Sequence, residues 1–125
     1  MRIALAQVLS SSDPEANLDL VRRYTAAAAE QRAELVVFPE ATMCSFARPR
    51  ADVAESFDGP WATAVRSIAR DAGVTVVVGM FVTTDSSQVH NTLLVTGDAE
   101  ARYDKLHLFD ALGYAESRQI RAGDR

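Results

Sequence analysis

The chain has 125 residues, 48% of them hydrophobic and 24% charged, which suits one soluble-type domain with a real core. Cys44 is the only cysteine, so an internal disulfide framework is excluded, and two histidines beside it are too few for a structural zinc site. The net charge of −4, with basic residues scattered among acids, argues against a nucleic-acid footprint.

No stretch approaches the roughly 20 apolar residues that span a membrane. The N-terminus has neither the apolar run nor the cleavage pattern of a signal peptide, so a cytoplasmic location is expected. Nothing rich enough in Pro, Gly or Ser divides residues 1–125, which read as one domain.

Residues 3–8 read as a first, mostly buried strand. Asp13-Pro14-Glu15 is a strong helix start: a capping carboxylate, a proline suited to the first helical position and an acid at the positive end of the dipole. The helix is predicted to run to about residue 33, with Leu20, Val21, Tyr24, Ala27 and Ala28 on one face.

Glu34-Leu35-Val36-Val37-Phe38-Pro39-Glu40 follows at once. Its four consecutive apolar residues predict a strand buried on both faces, as in a parallel sheet, ended by Pro39. Strand, helix and strand with short connections form a right-handed βαβ unit. Glu40 then stands at the carboxyl end of an interior strand, where α/β folds collect their ligands. In apolar surroundings it should resist ionisation, which suits proton transfer. The plainer reading, a solvated or capping glutamate, leads if this stretch is taken alone.

Residues 41–57 are irregular, broken by Arg48-Pro49-Arg50. A long loop past a buried strand is where sites tend to be built. Arg48 and Arg50 could meet a substrate carboxylate, although two loop arginines are usually just solvated. Asp58-Gly59-Pro60-Trp61 starts a second helix with Trp61, Val65, Ile68, Ala69 and Ala72 buried and Gly73 as a left-handed stop.

Residues 74–82 form another interior strand, in which Gly79 marks a bulge or a close backbone approach. Residues 89–96 and 101–104, joined through a tight Gly97-Asp98 turn, read as antiparallel strands. Phe109, Leu112, Tyr114 and Ile120 then call for burial with nothing after them to supply it, which hints at a truncated domain. No glycine-rich phosphate loop follows the first strand, which weakens a nucleotide-binding reading.

In Tyr103-Asp104-Lys105-Leu106-His107-Leu108, Lys105 could stabilise an oxyanion, though a snorkelling surface lysine is the commoner fate. The ordered set weighs more. Residues 1–7, Asn17-Leu18, Val36-Val37-Phe38-Pro39-Glu40, Val77-Val78-Gly79, Asn91-Thr92-Leu93-Leu94 and the Lys105 segment together resemble the nitrilase superfamily, the carbon–nitrogen hydrolases. The run 105–110 is most similar to the omega-amidase and aliphatic-amidase branches.

That resemblance implies an α/β fold, the four-layer αββα sandwich, of which this chain would be the N-terminal half. It implies cleavage of a small non-peptide amide or nitrile, with no metal or organic cofactor and no nucleic-acid or membrane partner, by a protein that forms homo-oligomers. Glu40 matches the family's catalytic glutamate, a base toward a thiol and then an acid toward departing ammonia. Lys105 matches the oxyanion-stabilising lysine, and Glu116 stands where many members carry a second glutamate that positions the lysine and the substrate.

The nucleophile is the departure. In the family it is a cysteine well downstream of the lysine, and the chain stops before that point. Cys44 lies on the wrong side of Lys105, four residues past Glu40, and is expected to be a packing residue. These residues alone are therefore expected to lack amidase activity and to self-associate. A non-catalytic α/β binding or assembly module is the alternative from a different class. His107 is expected to pack or hydrogen-bond, and His90 to lie near a surface.

Overall fold

The computed structural model describes residues 1–124. A five-stranded sheet is built from β1 (Ile3–Leu5), β2 (Leu35–Val37), β3 (Thr75–Thr83), β4 (Val89–Thr96) and β5 (Ala101–Asp104), side by side in that order. β1, β2 and β3 are parallel; β3–β4 and β4–β5 are antiparallel. The parallel connections carry helices α1 (Pro14–Glu30) and α2 (Pro60–Ala72). Both helices pack on one sheet face, over Val36, Val76, Val78, Met80 and Leu94. A small hairpin, β6 (Asp110–Ala111) and β7 (Tyr114–Ala115), follows.

The helix starts obey their local chemistry. Asp13 accepts the Glu15 N–H at 3.0 Å, and Pro14 takes the first turn. For α2 the accepting carboxylate is Glu55, whose Oε2 takes the Trp61 N–H at 2.8 Å. Gly73 closes α2 at φ 64°, as predicted.

Of the predicted face of α1, Val21 and Ala28 are buried while Leu20, Tyr24 and Ala27 are half-buried; Asn17, Leu18 and Thr25 complete a slightly shifted stripe, and the helix stops at Glu30. The shift follows from two polar residues turned inward. Asn17 is fully buried because its amide donates to the Ser11 and Met43 carbonyls and accepts the Ser11 N–H.

The expectation of strands buried on both faces holds for most of β3 and fails over β1 and β2, where only one face is covered. Val36 and Phe38 are buried, but Leu35, Val37 and Val77 are half-buried, and Ile3, Leu5 and Tyr103 are exposed. Alternation puts these residues on the face away from the helices, which is covered only toward Phe81, where Ala41, Cys44 and Val53 of the loop after β2 and Ile120 pack on it. The described residues therefore form one helix layer and one sheet layer, half of the four-layer sandwich. Of the late apolar residues, Ile120 is buried while Phe109, Leu112 and Tyr114 are exposed.

β3 has nine residues and β2 only three, so most of one β3 edge needs other partners. The loop after β2 supplies them. Phe38 N–H bonds the Val77 carbonyl, Met43 N–H bonds that of Gly79, and Glu55 bridges to Val82. Gly79 is the close approach, not a bulge, since it pairs with Leu93 in unbroken register. A Cβ there would sit 1.5 Å from the Glu40 carbonyl oxygen.

Candidate active site

Three elements converge on one ammonium. β2 and the Gly79 contact place Glu40, the end of β5 places Lys105, and the helical turn Glu116–Arg118 after β7 places Glu116. Lys105 Nζ lies 3.0 Å from Glu40 Oε1 and 3.1 Å from the Glu116 carboxylate. All three residues singled out in the sequence thus meet.

Their environments differ. The Glu40 side chain is 50% exposed, that of Lys105 30% and that of Glu116 6%. Glu116 is held by the Phe109 N–H on Oε2 at 2.8 Å, and its own N–H bonds the Phe109 carbonyl. Glu40 is not in the apolar setting predicted for it: half its side chain is open, and Oε1 also accepts Asn91 Nδ2 at 2.7 Å. Burial pulls the Lys105 pKa down, but its hydrogen bonds to Glu40 and Glu116, with their charges, outweigh that and hold it above the ordinary lysine value.

Two cavities open on either side of the Glu40–Lys105 pair. One, about 270 Å³, is bounded by Gly79, Asn91, Thr92, Leu93 and Tyr103 and faces the uncovered side of the sheet. The other, about 350 Å³, is bounded by Phe46, Arg50, Phe109, Tyr114 and Glu116.

Arg50 is buried, not solvated: it donates to Gln119 Oε1 at 2.9 Å and to the Tyr114 hydroxyl at 3.0 Å, and stacks over Phe46. Its Nε has no acceptor, and no carboxylate pairs with it among the described residues. Arg48, by contrast, is partly exposed and pairs loosely with Asp52.

Cys44 lines neither cavity. Its thiol is buried against the Ser12 and Ser45 carbonyls. Burial pushes its pKa up, Arg48 and Arg50 pull it down less strongly, and Asp13 adds to the rise. That is the packing role expected of it.

His107 is exposed and does not pack as expected, because the chain leaves the sheet just before it; His90 Nδ1 meets the Arg121 carbonyl at 3.0 Å. Sequence reasoning missed Asn91 as a site residue. The available signal was a polar side chain among Val89, Leu93 and Val95, all on one face of β4. No helix among the described residues is long and apolar enough to cross a membrane.

An acid, an ammonium and a second acid thus meet at the carboxyl edge of the parallel strands. Residues 2–125 match the carbon-nitrogen hydrolase family, and the chain belongs to it.

A hydrolase from Mycobacterium tuberculosis is 52% identical over 98% of this chain and 46% of its own length. The deaminated glutathione amidase of Escherichia coli O157:H7 is 31% identical over 99% of this chain and 49% of its own. The chain thus spans about half the length of the curated relatives it matches. Among solved structures, an amidase from Nesterenkonia sp. superposes with a TM-score of 0.82 at 28% identity, covering all of this chain and 49% of that one.

Proposed function

We propose that residues 1–125 are the N-terminal portion of a single hydrolase domain that cleaves a small non-peptide amide or nitrile through a Glu–Lys–Cys mechanism. The observation that carries this reading is the Lys105 ammonium set between Glu40 at 3.0 Å and Glu116 at 3.1 Å. In this reading the thiol comes from the part of the protein that corresponds to the second half of the relatives. In a glutamate-to-glutamine mutant of the Nesterenkonia amidase, acrylamide undergoes Michael addition at the active-site cysteine.

For an amide, Glu40 takes the thiol proton as sulfur attacks the carbonyl carbon, and the oxyanion forms opposite Lys105. Collapse breaks the C–N bond, and Glu40 returns the proton to the departing amine. Water, deprotonated by Glu40, then cleaves the thioester to acid and free thiol. Glu116 keeps the lysine aimed.

Arg50, a buried cation with no counter-ion among the described residues, in the wall of the larger cavity, supports a substrate that carries its own carboxylate. The uncovered sheet face supports a second sheet packed over it. A cytoplasmic homo-oligomer completes the reading.

Ammonia release from short aliphatic amides, with and without a terminal carboxylate, tests it on the complete gene product. Turnover abolished by Glu40→Gln and kept by Cys44→Ala is expected. Turnover indifferent to Glu40→Gln, or lost with Cys44→Ala in a folded protein, overturns the mechanism. No turnover on any amide or nitrile favours a non-catalytic assembly module.

A further inference from the structure

The two oxygens of Glu40 are not equivalent. Oε1 accepts two hydrogen bonds, from Asn91 Nδ2 at 2.7 Å and Lys105 Nζ at 3.0 Å. Oε2 accepts none from any described residue. A carboxylate oxygen offers two lone pairs in its plane, so Oε1 is filled and only Oε2 can take a proton without breaking a bond.

Lysine alone would not enforce this, because its ammonium rotates freely on a flexible stem and is shared with Glu116. Asn91 can enforce it: it is 5% exposed and lies within the unbroken β3–β4 ladder, paired with Phe81.

The same residue acts on the lysine through the backbone. The Asn91 carbonyl accepts the Lys105 N–H at 2.9 Å, extending the β4–β5 ladder just past its last paired residues. One asparagine therefore sets the origin of the lysine side chain with its main chain and the orientation of the glutamate with its side chain. Its amide also lines the smaller cavity beside Gly79 and Leu93, on the open side of the sheet.

We propose that Asn91 is a positioning residue that occupies Glu40 Oε1 and so assigns proton transfer to Oε2. This rests on the hydrolase reading for its chemistry, but the hydrogen bond itself can be observed without turnover. Donation by the amide also fixes which end of the Asn91 side chain faces Glu40, since a carboxylate can only accept.

Two readouts test it. In the complete gene product, Asn91→Leu removes the donor while keeping the same branched heavy-atom skeleton, and Asn91→Asp replaces it with a repelling carboxylate. Each is expected to lower kcat by about a hundredfold with KM within a few fold, Asp more than Leu. A variant that merely loosens the fold would lower the melting temperature and leave kcat per folded molecule unchanged, and that result overturns the proposal.

Independently of activity, NMR of the ¹⁵N-labelled protein should show one Asn91 side-chain amide proton shifted downfield and protected from exchange. Glu40→Ala should abolish both effects. An unprotected amide in the wild type overturns the inference even if the enzyme works. A protected amide in a protein that turns over no amide keeps the contact and removes the hydrolase reading instead.

Discussion

The two carboxylates that meet Lys105 are delivered by regions built in opposite ways. Glu40 arrives through long-range register: the end of β2, a glycine on β3 that lets the Glu40 backbone touch it, and Asn91 on β4. Glu116 arrives through local structure, eleven residues from Lys105, on the turn that follows a hairpin whose tip holds Leu112 at φ 52° and Gly113 at φ 80°. The first can move only if the sheet moves; the second depends on a few turns. The region built on the sheet leaves its acid half open, and the local one buries its acid and saturates it with the Phe109 N–H and the lysine. An acid that must exchange protons needs a free oxygen and access to substrate. An acid that only holds a cation is better sealed.

That division predicts unequal consequences. Glu40→Gln keeps shape and removes the proton acceptor of the proposed mechanism, so kcat in the complete gene product should fall about a thousandfold with unchanged thermal stability. Glu116→Gln should instead lower both stability and kcat, because a buried partner of the ammonium is lost; identical profiles for the two variants would erase the distinction.

Gly79→Val tests the register. Its side chain would overlap the Glu40 carbonyl, and a loss of at least about 3 kcal/mol is expected in urea unfolding. Gly113→Ala, at a positive φ with open space around it, should cost about 1–2 kcal/mol from backbone strain alone. A larger loss at Gly113 than at Gly79 would reverse the comparison.

The same contrast explains what could be read in advance. The Glu40 region was legible because long-range sheets leave local marks: an apolar run, a terminating proline, a glycine inside a strand. Residue type alone marked Gly79 as either a bulge or a close approach, and the unbroken ladder with Leu93 decided between them. The burial of Leu35 and Val37 could not be read, since apolar character says that a side chain is suited to cover and not whether the residues at hand supply it.

Arg50 was misjudged because its burial depends on Tyr114 and Gln119, more than sixty residues away. Asn91 was visible as a motif letter but not as a contact, because its partner lies 51 residues back along the chain. Glu116 could be placed only by family resemblance; its fit depends on reciprocal bonds with Phe109 that no residue pattern announces.

The smallest expected effect is in alkali, and it isolates the ammonium because Lys105 is the only lysine in the chain. Its folded-state pKa lies above the unfolded value, so its contribution to stability is complete below the ordinary lysine range and is lost as pH rises through the higher folded value. With its side chain nearly a third exposed, that contribution should be no more than about 1 kcal/mol.

Urea unfolding of the wild type and Lys105→Met, stepped from neutral pH to about pH 11, should show a constant difference at first. The difference should narrow only at the alkaline end. Subtracting the variant removes the tyrosines, which titrate in both proteins. A difference that persists undiminished to the alkaline limit would mean that the lysine stem packs the site together and its charge does not, and the meeting of Glu40 and Glu116 at Lys105 would then have to be explained by shape.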